Sequence, residues 1–168
     1  MARTSLSFSV AGLAEASELA ALHTSASDDL TQRFGHGFWS SATTERGLRF
    51  RMSHSRVLIA RTGKSIVGTL HLQTKKPWAI DVSYFTPVTK ALYLTGMAVL
   101  PKMQGKGIGR KLLGEALNQA RAWPADAVRL DAFDAKAGAG DFYAKCGFRE
   151  VAHVVYRKDP LIYFEFVL

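Results

Sequence analysis

The stretch Gln104 to Arg110 reads QGKGIGR, with Gly105, Gly107 and Gly109 alternating with Lys106, Ile108 and Arg110. It follows a run rich in strand formers (LYLTGMAVL) and opens a segment with helical periodicity. The first N–H groups of a helix have no acceptor within the helix, and the helix dipole places partial positive charge beside them. Glycine lets the backbone take unusual dihedrals and approach a ligand closely. These features together describe a phosphate cradle, to which Lys106 and Arg110 add side-chain charge.

Two common phosphate patterns do not fit. A nucleoside-triphosphate loop needs G-x-x-x-x-G-K-[ST]. The only GKS is Gly63–Lys64–Ser65, Leu58 stands where the first glycine belongs, and that turn joins two strands. A dinucleotide fingerprint needs G-x-G-x-x-G. Gly105 and Gly107 supply its first half, but Arg110 occupies the third glycine position. What remains is Q-x-x-G-x-G at Gln104, Gly107 and Gly109.

That loop, within MAVLPKMQGKGIGRKLL and with Val99 and Pro101 ahead of it, resembles the coenzyme A loop of the GNAT superfamily of N-acetyltransferases. Downstream, FYAKCGF (Phe142 to Phe148) resembles the superfamily's second signature, an aromatic pair followed by Gly-Phe. The likeness covers about Leu92 to Phe148. It implies a mixed, mostly antiparallel α/β sheet with a central splayed parallel strand pair and helices on both faces. It also implies acetyl-CoA as co-substrate, wedged between the strands at Leu92–Val99 and Val128–Phe133, and no metal. Backbone groups of Met97, Ala98 and Val99 would pair with the pantetheine arm like an added strand. Backbone N–H groups from Gln104 through Gly105, Lys106, Gly107, Ile108 and Gly109 to Arg110 would take the pyrophosphate.

The implied chemistry is direct attack of an amine on a thioester in a ternary complex. One proton must leave the amine and one must reach the leaving thiolate. Tyr143 matches the tyrosine that serves as that acid; an unperturbed tyrosine, with a pKa of roughly 10, is protonated at neutral pH. The alternative is a core aromatic whose hydroxyl only hydrogen-bonds. Many relatives carry a glutamate on the strand before the loop, whereas Leu94, Thr95 and Gly96 stand here. His71, Asp81 or a water chain are the alternatives for the base, and His71 is the best single residue because histidine titrates near neutrality. Lys136 stands where relatives often have an asparagine, and Asp134 is placed to cap the next helix or replace that contact. Cys146 reads as packing, and Glu165 in LIYFEFVL as an edge-facing or paired carboxylate.

These residues need elements to position them. Residues 5–10 alternate and read as a strand, and Ala11 to His23 as a helix. Thr24 to Ser41 reads as a loop by composition, carrying Phe34, His36, Phe38 and Trp39. A short helix is expected over Thr43–Met52, then a hairpin of Arg56–Arg61 and Ser65–Gln73 turning at Thr62–Gly63–Lys64. A connection with Trp78, Asp81, Tyr84 and Phe85 leads to the strand at Leu92–Val99. Ile108, Leu112, Leu113, Ala116, Leu117 and Ala120 recur at helical spacing, and Pro124 stops that helix. A strand at Val128–Phe133, a helix at Ala139–Cys146 and strands at Phe148–Tyr156 and Leu161–Leu168 complete the order.

The chain of 168 residues suits one domain. Residues 1–90 read mainly as the acceptor-side half and 91–168 as the acetyl-CoA-binding half. Hydrophobic residues at 48% and charged residues at 21% are ordinary for a globular protein. The net charge of +8 is dispersed, with no basic run longer than a pair, which argues against a nucleic-acid partner. The lone Cys146 and an N-terminus without a signal peptide's apolar core point to the cytoplasm and to no membrane partner. The expected partner is an amine on a small molecule or peptide, and the resemblance leaves a homodimer open. The alternatives are another acyl-CoA transferase or a non-catalytic coenzyme A-binding module on the same fold.

Overall fold

A computed structural model describes residues 5–168. The first four residues of the N-terminal stretch read for a signal peptide lie outside them. The strands are β1 (Leu6–Val10), β2 (Arg56–Thr62), β3 (Ser65–Gln73), β4 (Ala91–Val99), β5 (Ala127–Phe133), β6 (Arg149–Tyr156) and β7 (Asp159–Val167). The helices are α1 (Ala16–Phe34), α2 (Glu45–Met52), α3 (Ile108–Ala122) and α4 (Gly140–Lys145). The strands form a seven-stranded sheet in the order β1-β2-β3-β4-β5-β7-β6. The pairs β1–β2, β2–β3, β5–β7 and β6–β7 are antiparallel. β4 and β5 are parallel, in register from Ala91↔Ala127 to Tyr93↔Arg129. The mixed, mostly antiparallel sheet with a parallel pair, expected from the resemblance, is the one observed.

The chain forms two compact units. The first comprises the chain up to Leu72 together with Thr95–Ala116, and the second Gln73–Leu94 with Leu117–Leu168. In the first, Leu19, Ala20 and Leu22 of α1 bury against Leu48, Val57, Ile59 and Ile66, and Ala98 and Leu100 pack on that cluster. The spacing of Ala16, Leu19 and Ala20 puts them on one helix face. In the second, Ile80, Phe85, Tyr93 and Tyr163 form a core cluster joined by Val151, Ala152 and Val154. Tyr163 stacks on Phe85 at 5.2 Å and accepts from Asp81 N–H at 3.1 Å. Phe85 of the connection is therefore a core residue here.

One element corrects the sequence reading. Thr24 to Phe34 is not a loop but the second half of α1, which ends at Gly35 with φ 81°. Its polar composition misled, because no glycine or proline interrupts it before Gly35. The polar side chains hold the connection that follows. Ser27 Oγ donates to the carbonyl of Trp39 and lies 3.2 Å from that of Ser41, and Thr31 Oγ1 and Ser40 Oγ lie 2.7 Å apart. Trp39 Nε1 donates to Gly35 O at 2.9 Å, so this aromatic pins the segment. α2 begins after Thr44, whose Oγ1 accepts from Gly47 N–H at 3.1 Å.

Candidate functional site

In the first unit, Leu100 N–H donates to Val67 O at 2.9 Å, tying the end of β4 to β3. A single helical turn at Pro101–Met103 follows. Gln104 Nε2 then reaches back to Val99 O at 3.2 Å. Gly105 and Gly107 take φ values of 74° and 76°, where a side chain is strained. Residues 104–107 are exposed, and nothing lies within 4 Å of a Cβ built on Gly105 or Gly107. Ile108 is buried and, with Leu112, packs over Gly68, anchoring the start of α3. The loop thus presents bare backbone at a helix start with cationic Lys106 and Arg110 beside it. That shape fits a pyrophosphate, and it brings together every loop residue singled out from the sequence. Met97, Ala98 and Val99 lie half-buried at the end of β4.

In the same unit His71 lies against Gly96 of β4, and His23 and Ser55 contact His71 in turn. Gly96 has φ 57°, and a Cβ added there would come within 3.1 Å of His71 Cδ2 and 3.3 Å of His71 Nε2. His71, on β3, is 1% exposed. Its ring meets that of His23, on α1, edge to face at 5.9 Å. Its Nδ1 lies 3.3 Å from Ser55 Oγ. Nε2 of each histidine is buried without a hydrogen-bond partner among the described residues. Burial, then the charges of His23 and Arg51, press His71 down to about 3; burial, then Arg51, press His23 down to about 4. Both are neutral at physiological pH.

That neutrality makes stability depend on pH. Both native pKa values lie below the ordinary value of 6.5, so the unfolded chain binds more protons as pH falls below it. The stabilisation is complete above that value and is lost from there down towards the native values. Urea unfolding at about pH 5 is expected to show stability about 2 kcal/mol per histidine below that at about pH 7.5. His71→Gln, which removes one titrating group, is expected to roughly halve the loss. Equal stability at both pH values in the wild type would exclude the buried neutral pair.

In the second unit, α4 carries Tyr143. It is 6% exposed and ringed by Phe142 at 5.3 Å, Phe148 at 5.8 Å and Phe164 at 5.9 Å. Burial, then the charge of Asp131 and Cys146 nearby, push its phenol up, so it stays protonated. Asp131 lies on β5 near enough to act on Tyr143, and burial raises its own carboxyl. This carboxyl was not among the expected site residues. Its alternation with Leu130 and Ala132, both buried, was the available signal. Phe148 N–H donates to Tyr143 O at 3.1 Å, and Gly147 turns the chain with φ 90°. Cys146 is free of disulfide and half-buried.

Several other candidates find structural partners. Asp134 does not cap α4, whose N-cap is Ala139; it meets His153 Nδ1 at 3.0 Å. The segment before α4 is a tight turn, with Gly138 N–H on Ala135 O at 2.8 Å, and a Cβ at Gly138 would strike Phe133 O. Lys136 is exposed. Glu165 is buried and accepts from Thr86 N–H at 3.2 Å, from Thr86 Oγ1 and from Arg149. Asp81 accepts from Ser83 N–H at 2.9 Å and Ser83 Oγ at 2.7 Å, which hold its carboxyl low. It organises a turn, and Trp78 beside it is 82% exposed. Among the described residues no cluster of His, Cys, Asp and Glu is arranged to hold a metal, and no helix is long and apolar enough to cross a membrane.

No curated protein matches the chain by sequence. Solved structures match it over nearly its whole length. The PaiA N-acetyltransferase of Thermoplasma acidophilum, in complex with coenzyme A, superposes with a TM-score of 0.72 at 15% identity, covering 96% of this chain and 99% of its own. A ribosomal-protein-alanine N-acetyltransferase of Brucella melitensis gives 0.71 at 18% identity, covering 96% and 99%. A GNAT family acetyltransferase of Brucella melitensis, in complex with acetyl-CoA, gives 0.65 at 17%, covering 99% and 90%. At these identities the likeness speaks for the fold. The sequence model of the acetyltransferase (GNAT) family matches residues 19–148, which span α1 through the aromatic-Gly-Phe signature, and on that match the chain belongs to the GNAT acetyltransferase family.

Proposed function

We propose that the protein is an acetyl-CoA-dependent N-acetyltransferase, a single catalytic domain acting on a primary amine of a small molecule or peptide. The observation that carries this reading is the exposed loop at Gln104–Gly107, where Gly105 and Gly107 hold positive φ at the mouth of α3. Backbone N–H groups from Gln104 to Arg110 hold the pyrophosphate, as helix starts hold anions. Met97, Ala98 and Val99 offer their backbone to the pantetheine arm. The thioester supplies an activated acetyl group when bound. Holding amine and acyl carbon in line supplies a large part of the rate.

In the step itself a nitrogen–carbon bond forms and the carbon–sulfur bond breaks. The nitrogen loses a proton and the thiolate gains one. Tyr143, kept protonated by burial, is the group we assign to the thiolate. Residues 1–90 serve mainly the acceptor and 91–168 the coenzyme, and the cytoplasm is the compartment we assign, where Cys146 stays reduced.

Titration calorimetry with acetyl-CoA and with CoA, at low and high salt, tests the reading. One-to-one binding is expected, weakening with salt because charged groups on the loop contribute. Absence of binding at either salt concentration would overturn it.

A further inference from the structure

The acceptor side of β4 lacks a carboxylate: Thr95 and Gly96 stand ahead of Met97. Against Gly96 lies the ring of His71. The tautomer of that ring follows from its neighbour. Ser55 Oγ donates to Arg51 O at 2.8 Å and also lies 3.3 Å from His71 Nδ1. A hydroxyl has one proton. With that proton on Arg51 O, Nδ1 must carry the hydrogen and donate to Oγ. His71 Nε2 is therefore a lone pair, buried and without a donor among the described residues. A buried acceptor left unmatched costs about 1–3 kcal/mol, so a donor arriving there is favoured.

Positive charge is disfavoured at the same place. Arg51 on α2 has no carboxylate partner among the described residues, and His23 brings a second buried imidazole without a donor or acceptor at Nε2. Among the described residues no carboxylate pairs with this group to receive an ammonium ion. An alkylammonium arriving here would meet Arg51 and lose its water. An uncharged nitrogen would give Nε2 the N–H that it lacks.

Resting on the acetyltransferase reading, we propose that His71 Nε2 accepts a hydrogen bond from the attacking nitrogen, and that the site selects acceptors whose nitrogen is uncharged at neutral pH, such as hydrazines and arylamines, over alkylammonium ions. As the nitrogen–carbon bond forms and the carbon–sulfur bond breaks, the nitrogen gives its proton to solvent water. The thiolate takes its proton from Tyr143. Solvent takes one proton from the nitrogen and returns one to Tyr143, so the balance closes and His71 stays neutral. Ser55 positions the ring by holding its Nδ1–H.

The test compares phenylhydrazine, uncharged at neutral pH, with benzylamine, an ammonium there, by thiol release from acetyl-CoA at about pH 7.5. A kcat/KM at least about tenfold higher for phenylhydrazine is expected. His71→Asn retains a donor for Ser55 and removes the accepting atom. By releasing the nitrogen from its position it is expected to lower kcat for phenylhydrazine about a hundredfold while calorimetry shows coenzyme affinity unchanged, a split that a packing role would not give. Equal use of the two amines, or an undiminished kcat in His71→Asn, would overturn the proposal.

Long-range proton–nitrogen NMR on the wild-type protein loaded with CoA decides the case even where the variant misfolds. The His71 Nε2 resonance is expected at a lone-pair position and should move on adding phenylhydrazine; a protonated Nε2, or no movement, would overturn the proposal. Failure of coenzyme binding strikes the acetyltransferase reading. Coenzyme binding without these effects at His71 strikes this inference alone.

Discussion

Gly107→Glu is expected to weaken acetyl-CoA binding by at least about a hundredfold. Three effects act in one direction. The glutamate adds a negative charge where the loop offers backbone N–H groups and Lys106 to an anion. It sets bulk where the structure has nothing within 4 Å of the Cβ position, so the fold need not shift but a ligand meets the new side chain. It also places an ordinary residue at φ 76°, which costs about 1 kcal/mol and works against the loop's own geometry. Losing or distorting two charge-assisted hydrogen bonds at about 1.5 kcal/mol each already accounts for the factor. Calorimetry measures the affinity, and thermal unfolding checks that the melting temperature falls by no more than the local strain implies. Unchanged affinity would remove the loop from the binding site.

The loop was legible because its signal is local. Glycines, cations and the helical run of α3 lie within a few residues of each other, and strand, loop and helix are punctuated by breakers. The hairpin of β2 and β3 was readable for the same reason, with Gly63 at φ 60° between two apolar runs. α1 was cut short because polarity was read as irregularity, although no glycine or proline occurs within it before Gly35. What surrounds the chemistry was less legible, because its contacts are distant in sequence. Glu165 meets Thr86 across 79 residues, and no local pattern reveals that pairing. His71 was visible as a titratable residue on a strand, but the features that give it a role are not. Its tautomer depends on Ser55, its neutrality on burial and then on His23 and Arg51, and its placement on Gly96 having φ 57°. A lone glycine in a strand run reads as weakness until its dihedral is known.

Tyr143→Phe is expected to bind acetyl-CoA as the wild type does and to lower kcat by about a hundredfold, near the lower end of the range for a lost acid. The substitution removes one oxygen and keeps the ring among Phe142, Phe148 and Phe164, so packing and coenzyme affinity should survive. The size of the effect follows from the phenol's surroundings. Burial, and then the charge of Asp131, push its pKa upward, which guarantees a proton to share but weakens the acid. A phenol in that state stabilises the departing sulfur mainly as a hydrogen-bond donor and completes the transfer late, when the carbon–sulfur bond is largely broken. The same surroundings set the pH profile: Tyr143 holds its proton through the ordinary alkaline range, so kcat should show no fall from its ionisation below about pH 10. Asp131→Asn removes the charge that raises the phenol and retains the shape, so it should leave coenzyme affinity intact and bring the alkaline fall to lower pH. Turnover in Tyr143→Phe equal to the wild type would reduce Tyr143 to a packing residue and leave the thiolate to be protonated by solvent.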